Sequence, residues 1–237
     1  MTNNQIKLIR SLAFKKNRAK YQLFVVEGQK SIQELLQSDY EVESLFASNN
    51  WINKNPDVKA EVVTNTELDR ISNQKSPNEV LAVVKIREKM VPSHSTITLI
   101  LDDINDPGNM GSIIRICDWF GVRSIICSNS TVDVYNPKVV QSAMGSIFRV
   151  DITYTNLLEY MGSIDAPIYG AYMDGPDVKG ISFPESLYLV MGNEANGISR
   201  EFSQLIDSKV SISNLGGGAE SLNVAAATSI LLHEICQ

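Results

Sequence analysis

From residue 97 onward the chain repeats one pattern: a short apolar strand, a polar loop, then a helix. Ile97–Leu101 is apolar without a break, as a strand buried on both faces of a parallel sheet must be. Ser124–Cys127, Ile168–Tyr172, Leu187–Met191 and Val210–Ile212 read as further strands. Ser112–Phe120 and Pro137–Met144 read as helices. Leu222–Ile235 reads as a last helix, apolar nearly all round and therefore expected to be buried. Strands alternating with helices predict an α/β domain built on a parallel sheet.

The first part of the chain is a smaller α/β unit. Ile6, Ile9 and Leu12 recur at helical spacing, which predicts a short amphipathic helix over 4–13. Lys15–Tyr21 is a polar stretch, and Leu23–Val26 is a buried strand ended by Glu27-Gly28. Ile32, Leu35 and Leu36 mark a second helix, and Val42–Ala47 a second strand. Asn49–Asp57 reads as loop. Glu61–Val63 and Val80–Ile86 supply two more strands, with a polar helix or turn around Thr66–Asn73. The periodicity lapses around Pro92. The division expected is 1–89, a linker over 90–96, and 97–237.

Composition excludes several classes. No apolar run approaches the roughly 18–20 residues that cross a bilayer. The first twenty residues carry no signal-peptide apolar core, so export is not expected and the chain is placed in the cytoplasm. Cys117, Cys127 and Cys236 are an odd number without disulfide spacing. Two histidines and no C-x-x-C leave no expectation of a metal site.

The net charge of -6 hides an asymmetry. Residues 1–89 hold 14 Lys and Arg against 11 Asp and Glu, and the rest hold 7 against 16. Lys7, Arg10, Lys15, Lys16, Arg18 and Lys20 all precede the first acid, Glu27. Such an end is a candidate phosphate-contacting surface; a solvated basic helix and loop is the plainer alternative.

Three strand-to-helix loops carry polar and glycine residues. The first, Asp103–Gly111, contains Asn109 and leads to Arg115 among Ile113, Ile114, Ile116 and Cys117. A cation in that setting needs an anionic partner, either a ligand phosphate or Asp118 or Asp102. The second, Gly192-Asn193-Glu194-Ala195-Asn196-Gly197, follows a buried strand, where open α/β sheets bind ligands. Glu194 could equally cap the next helix. The third, Gly216-Gly217-Gly218-Ala219-Glu220-Ser221-Leu222-Asn223, has a glycine run that permits close backbone approach. Ser221 could cap the last helix, and Asn223, set within it, would need buried partners. Neither G-x-G-x-x-G nor a P-loop occurs, which disfavours a Rossmann dehydrogenase.

In order, D-P-G-N-x-G-x-x-x-R, L-V-M-G-N-E-x-x-G-I and E-S-L-N-V-A-x-A resemble the three motifs of the SpoU (TrmH-like) RNA ribose methyltransferases of the SPOUT class, over 97–237. Asn136-Pro137-Lys138 through Ser146 is similar to the family segment that follows the first motif. R-S-L-A-F-K-K-N-R and F-V-V-E-G-Q-K resemble the L30e-like substrate-binding domain of the ribosomal-RNA members.

The resemblance implies an α/β fold with a C-terminal trefoil knot, and transfer of a methyl group from S-adenosylmethionine to a ribose 2′-hydroxyl. The RNA implied is 23S ribosomal RNA, with transfer RNA second. It implies donor contacts at Gly192, Asn193, Gly197, Ile212 and Leu222, although Ser213-Asn214 follow Ile212 where the family carries Pro and an apolar residue. Catalytic and RNA-contacting positions fall on Asn109, Arg115, Glu194, Ser221 and Asn223, and a homodimer packed through the knot domain is implied. A guanidinium is a poor free base, so Arg115 is expected to clamp a phosphate. A knotted RNA-binding module without catalysis, and a base-nitrogen methyltransferase, are the alternatives.

Overall fold

Thr2 opens the first helix by satisfying its free amides: its hydroxyl accepts from the Gln5 amide and the Gln5 side chain returns a bond. This structure, a computed structural model, describes residues 1–87 and 96–237. It divides into Met1–Glu88 with Asp133–Phe148, and Lys89–Val132 with Arg149–Gln237. The expected linker, 90–96, lies outside the described residues apart from Thr96.

The first unit runs α1 (Asn3–Ser11), α2 (Lys15–Tyr21), β1 (Leu23–Glu27), α3 (Gln29–Leu36), β2 (Val42–Ala47), α4 (Asn49–Lys54), β3 (Glu61–Val62), α5 (Asn65–Ile71) and β4 (Val80–Lys85). Its sheet order is β1-β4-β2-β3, antiparallel except for the β2–β3 pair. Ile6, Ile9 and Leu12 pack with Val25, Phe46, Leu68, Ile71 and Leu81 in one core. Two helices here were not expected, one in a polar stretch and one in an expected loop. Lys15–Tyr21 is helical despite its polarity, ended by Gln22 in the left-handed region (φ 54°). Asn49–Lys54 is helical because Ser48 caps the Trp51 amide and Trp51 buries its indole.

Arg18 corrects the basic surface expected of the N-terminal end. It is 3% exposed; its Nε and Nη2 donate to Asp133 at 3.0 and 2.5 Å, and its Nη1 donates to the Leu12 and Ala13 carbonyls at 2.8 Å. A buried guanidinium so fully used anchors the chain and offers nothing to RNA. Asp133–Phe148, read from the sequence as part of the second domain, groups with the first unit. Its helix α7 (Pro137–Ala143) packs on β1, and the 3-10 turn Met144–Phe148 packs on α3.

The second unit contains β5 (Ile97–Leu101), α6 (Pro107–Trp119), β6 (Ser124–Ser128), β7 (Asp151–Thr155), α8 (Leu157–Met161), β8 (Ile168–Ala171), β9 (Leu187–Met191), α9 (Arg200–Ser203), β10 (Ser208–Val210) and α10 (Val224–Ile235). The sheet order is β10-β8-β9-β5-β6-β7, parallel throughout, as the apolar runs predict. Leu99, Ile100 and Leu101 have no exposed surface. β7 and α8 had no sequence expectation; the β7 residues are all half-buried, so its pattern is neither continuous nor alternating. From β5 the chain leaves towards β6 on one side, and from the neighbouring β9 it leaves towards β10 on the other, so the carboxyl ends of β5 and β9 form the switch point at which such sheets bind ligands. Among the described residues, no helix is long and apolar enough to cross a membrane.

Candidate functional site

Beyond Leu101 the chain turns sharply. Asp102 is buried and accepts from the Ser199 amide at 2.7 Å, which draws the loop after β9 against the end of β5. Asp103 sits in the left-handed region (φ 57°), and its amide donates to the Ser128 hydroxyl at 2.9 Å. α6 begins earlier than the expected Ser112. Asp106 caps the Asn109 amide at 2.8 Å and Pro107 occupies the first turn, where a missing N–H costs nothing. The D-P-G-N motif is therefore the opening turn of a helix, which sets Asn109 at the mouth of the switch point.

The second loop is a closed turn. Asn193 and Gly197 exchange main-chain bonds of 3.0 and 2.9 Å, with Gly197 at φ 69°. The Asn193 side chain accepts from the Ala195 and Asn196 amides and donates to Asp103 O at 2.7 Å. Asn193 and Gly197, expected to meet the methyl donor, build the turn with these bonds. Gly192 is required: a Cβ there would stand 2.2 Å from Gly197 C and Ile198 N. The turn leaves Glu194 at its exposed tip.

Asn109 ties the three loops together. Its Nδ2 donates to Glu194 Oε1 at 2.9 Å, and its Oδ1 accepts from Asn223 Nδ2 at 2.8 Å. Asn223 is not inside α10, as its place in an apolar run suggests, but is the N-cap: its Oδ1 accepts from the Ala225 and Ala226 amides. Ser221, the other candidate cap, is exposed and does not cap the helix. Asn223→Ala is expected to cost about 1 kcal/mol of stability through removal of the cap. It should also lower activity more than that loss of folded protein explains; urea melts alongside initial rates check this.

The third loop is open. Leu215 is 97% and Leu222 51% exposed, and the turn is held by Asn214, whose Oδ1 accepts from the Gly216 and Gly217 amides. Ile212 lies just beyond β10, which ends at Val210, shorter than the expected strand. Ser211 clamps the exit of β10 to the loop after β8: its hydroxyl donates to Gly175 O at 2.7 Å and its amide to Pro176 O at 2.9 Å.

Arg115 is exposed and outside the cluster. Neither structural partner expected for it is available: Asp102 serves Ser199, and Asp118 is gripped by Arg149 at 2.7 Å. α10 is not buried all round. Leu231 and Leu232 pack inward, whereas Ile230 (36%) and His233 are exposed. Burial pushes the Cys117 and Cys127 thiols up, so neither is a thiolate nucleophile. Among the described residues, no group of His, Cys, Asp and Glu could hold a metal ion. Asp102 serves Ser199 and not the Arg115 pairing expected of it, and the structural parts played by Asp103 and Asp106 were signalled only by an acid pair ending an apolar strand and an Asp-Pro starting a helix.

Known proteins share this fold. Residues 96–233 match the SpoU rRNA Methylase family, and residues 3–82 match the MRM3-like substrate binding domain. A TrmH-family protein of Porphyromonas gingivalis superposes with a TM-score of 0.91 at 35% identity, over 99% of this chain and 98% of that one. The SpoU methyltransferase AviRb of Streptomyces viridochromogenes, solved in complex with AdoMet, superposes with a TM-score of 0.86 at 26% identity, over 99% and 97%. The 23S rRNA (guanosine(2553)-2'-O)-methyltransferase RlmP of Bacillus subtilis is 28% identical over 98% of this chain and 96% of its own length. With its three motif loops gathered at the switch point of a parallel sheet and a substrate-binding domain preceding them, the chain belongs to the SpoU rRNA methylase family.

Proposed function

We propose that the Asn109–Glu194–Asn223 cluster is where this S-adenosylmethionine-dependent RNA methyltransferase modifies a ribose 2′-hydroxyl, with 23S ribosomal RNA as its substrate. One observation carries the reading: Asn109 bridges Glu194 and Asn223, so the three motif turns meet at one point. Several of the similar proteins are 23S rRNA 2′-O-methyltransferases, and the chain matches RlmP along nearly its whole length.

The residues present fit the donor. The third loop offers bare apolar side chains, Leu215 and Leu222, and an open glycine run, which suit the flat face and polar edge of an adenosine group. Gly192, Ile212 and Leu222 would hold it, in a segment read as a trefoil knot where the chain beyond Ser211 runs past the loop after β8. S-adenosylmethionine supplies a methyl group already activated on a sulfonium, so the protein must position the 2′-oxygen and help its proton leave. Asn109 donates to one Glu194 oxygen and leaves the other free to accept from a ribose hydroxyl. Asn223 fixes the orientation of the Asn109 amide, and Ser221 stands exposed beside it in sequence to meet the ribose. Arg115 clamps the phosphate. Methyl transfer to ribosomal RNA lacking 2′-O-methyl groups, with the modified position mapped, tests the reading; no transfer would overturn it.

Six residues separate Asn109 from Arg115, about 240° round the helix, so Arg115 is turned away from its own cluster. Trp119, one turn further on, is 85% exposed. An indole so bare beside a guanidinium supports a homodimer packed through α6 and α10, in which Arg115 serves the partner's cluster. Trp119→Glu is expected to convert the dimer to monomer at micromolar concentration in sedimentation, with activity lost in parallel. A wild-type protein sedimenting only as monomer would refute the dimer.

Lys7, Arg10, Lys15, Lys16 and Lys20 remain exposed after Arg18 is set aside, as the basic surface of the substrate-binding domain requires. Replacing Lys15, Lys16 and Lys20 together by Ala is expected to flatten the salt dependence of RNA binding by about 0.7–0.9 for each phosphate no longer neutralised, raising KM with kcat unchanged. Binding titrations at several salt concentrations measure it.

A further inference from the structure

The segment Asn136–Ser146 resembles a family stretch to which the reaction above gives no part, yet it builds a cavity. Where α7 lies along β1 in the first unit, a crevice of about 380 Å³ opens. Its apolar surfaces come from Val25 and Val140, both buried, and from the Pro137 ring. Its polar surfaces come from Glu27, Asn73, Gln74, Asn136, Lys138 and Gln141.

These groups are unevenly spent. Glu27 is held rigidly: its Oε1 accepts from the Asn73 amide at 2.8 Å and its Oε2 from the Ser72 hydroxyl. Gln74 Oε1 accepts from Asn78, and Asn136 Oδ1 caps the Lys138 amide at 2.9 Å. The Gln141 side-chain amide, Gln74 Nε2 and Asn136 Nδ2 make no hydrogen bond among the described residues. Primary amides present a donor and an acceptor in one plane, the pattern carried by the edge of a nucleobase. Apolar walls with planar polar edges suit a flat heteroaromatic ring, and the volume sits at the small end of ligand sites. A single cation, Lys138, opposite a single carboxylate, Glu27, makes no cage for a polyphosphate.

The surroundings favour RNA as the source. Ala13, on the wall of the crevice, is followed directly by Phe14 (64% exposed), Lys15 and Lys16. Lys20 lies over the ring of Tyr21, itself 43% exposed, at 5.0 Å. Cations interleaved with bare aromatic rings are the composition of a single-strand stacking surface. We infer that the crevice between β1 and α7 receives one unpaired nucleobase of the RNA, held by Gln74, Asn136 and Gln141. The inference rests on the reading of the chain as an RNA methyltransferase and adds a site to it.

The test uses the full chain, ¹⁵N-labelled, with three probes: a single-stranded RNA hexamer, a blunt RNA duplex and the four nucleoside 5′-monophosphates. The hexamer is expected to shift the side-chain amide signals of Gln74, Asn136 and Gln141, while the duplex moves only signals of α1 and α2. Gln141→Trp fills the crevice from an exposed helix position and should weaken hexamer binding about tenfold. Duplex binding and S-adenosylmethionine affinity should stay unchanged. Amide signals unmoved by the hexamer, or a Gln141→Trp protein that binds it like wild type, would overturn the inference. Monophosphates binding as tightly as the hexamer would also overturn it, by making the ligand a free nucleotide. Methyl transfer by the wild-type chain, measured in parallel, separates this site from the active-site reading: its absence would sink that reading and leave the amide shifts standing.

Discussion

Arg115→Ala is expected to slow methyl transfer by about 10²–10³-fold while binding S-adenosylmethionine as wild type does, because removing one positioned charge-stabilising donor from an active site has effects of that size. Arg115 is exposed on α6 and neither nearby carboxylate is free to claim it, so its removal disturbs no internal ion pair. A fully folded protein with a strongly slowed reaction is therefore the expected phenotype. Arg115→Lys should recover little of the rate, since a point charge cannot grip a phosphate through two parallel bonds. Single-turnover transfer with labelled donor, beside calorimetric titration of the donor, separates chemistry from binding. A near wild-type rate for Arg115→Ala would remove the residue from the mechanism, and weakened donor binding would reassign it to the donor site.

Gly192→Ala should damage the donor site itself. The added Cβ would overlap Gly197 C and Ile198 N at 2.2 Å, and backbone cannot swing aside as a side chain can. The turn must open, at a strain of about 1–3 kcal/mol. Passed on to a loop that also carries Glu194, that strain corresponds to roughly 5–150-fold in donor affinity, together with a lower melting temperature. Gly218→Ala is the control. A Cβ there meets nothing within 4 Å, so its stability should fall within about 0.5 kcal/mol of wild type. If both variants bound the donor equally, the turn after β9 would have no part in holding it.

These two glycines look alike in the sequence, and their difference shows how far local reading reaches. Buried strands were legible because burial writes itself into every residue: β5, β6 and β9 are built around runs of Ile, Leu and Val. β7, half-buried along its length, left no such mark. Helix starts were less legible. Asp106 caps an amide three residues on and begins α6 before the expected Ser112, and an asparagine within an apolar run disguised its own role as the cap of α10.

By itself, the order of residues determined that this chain forms a parallel α/β sheet preceded by a smaller mixed unit, and that three polar turns follow buried strands. Those features depend on neighbours a few positions apart. Tertiary structure alone decided what each polar side chain does. Asn109 meets partners 85 and 114 residues away, Asp102 holds an amide 97 residues away, and Arg18 finds its carboxylate 115 residues away. Which amide becomes a bridge, and which cation is buried instead of facing RNA, follows from where distant segments cross, and no local periodicity encodes that crossing.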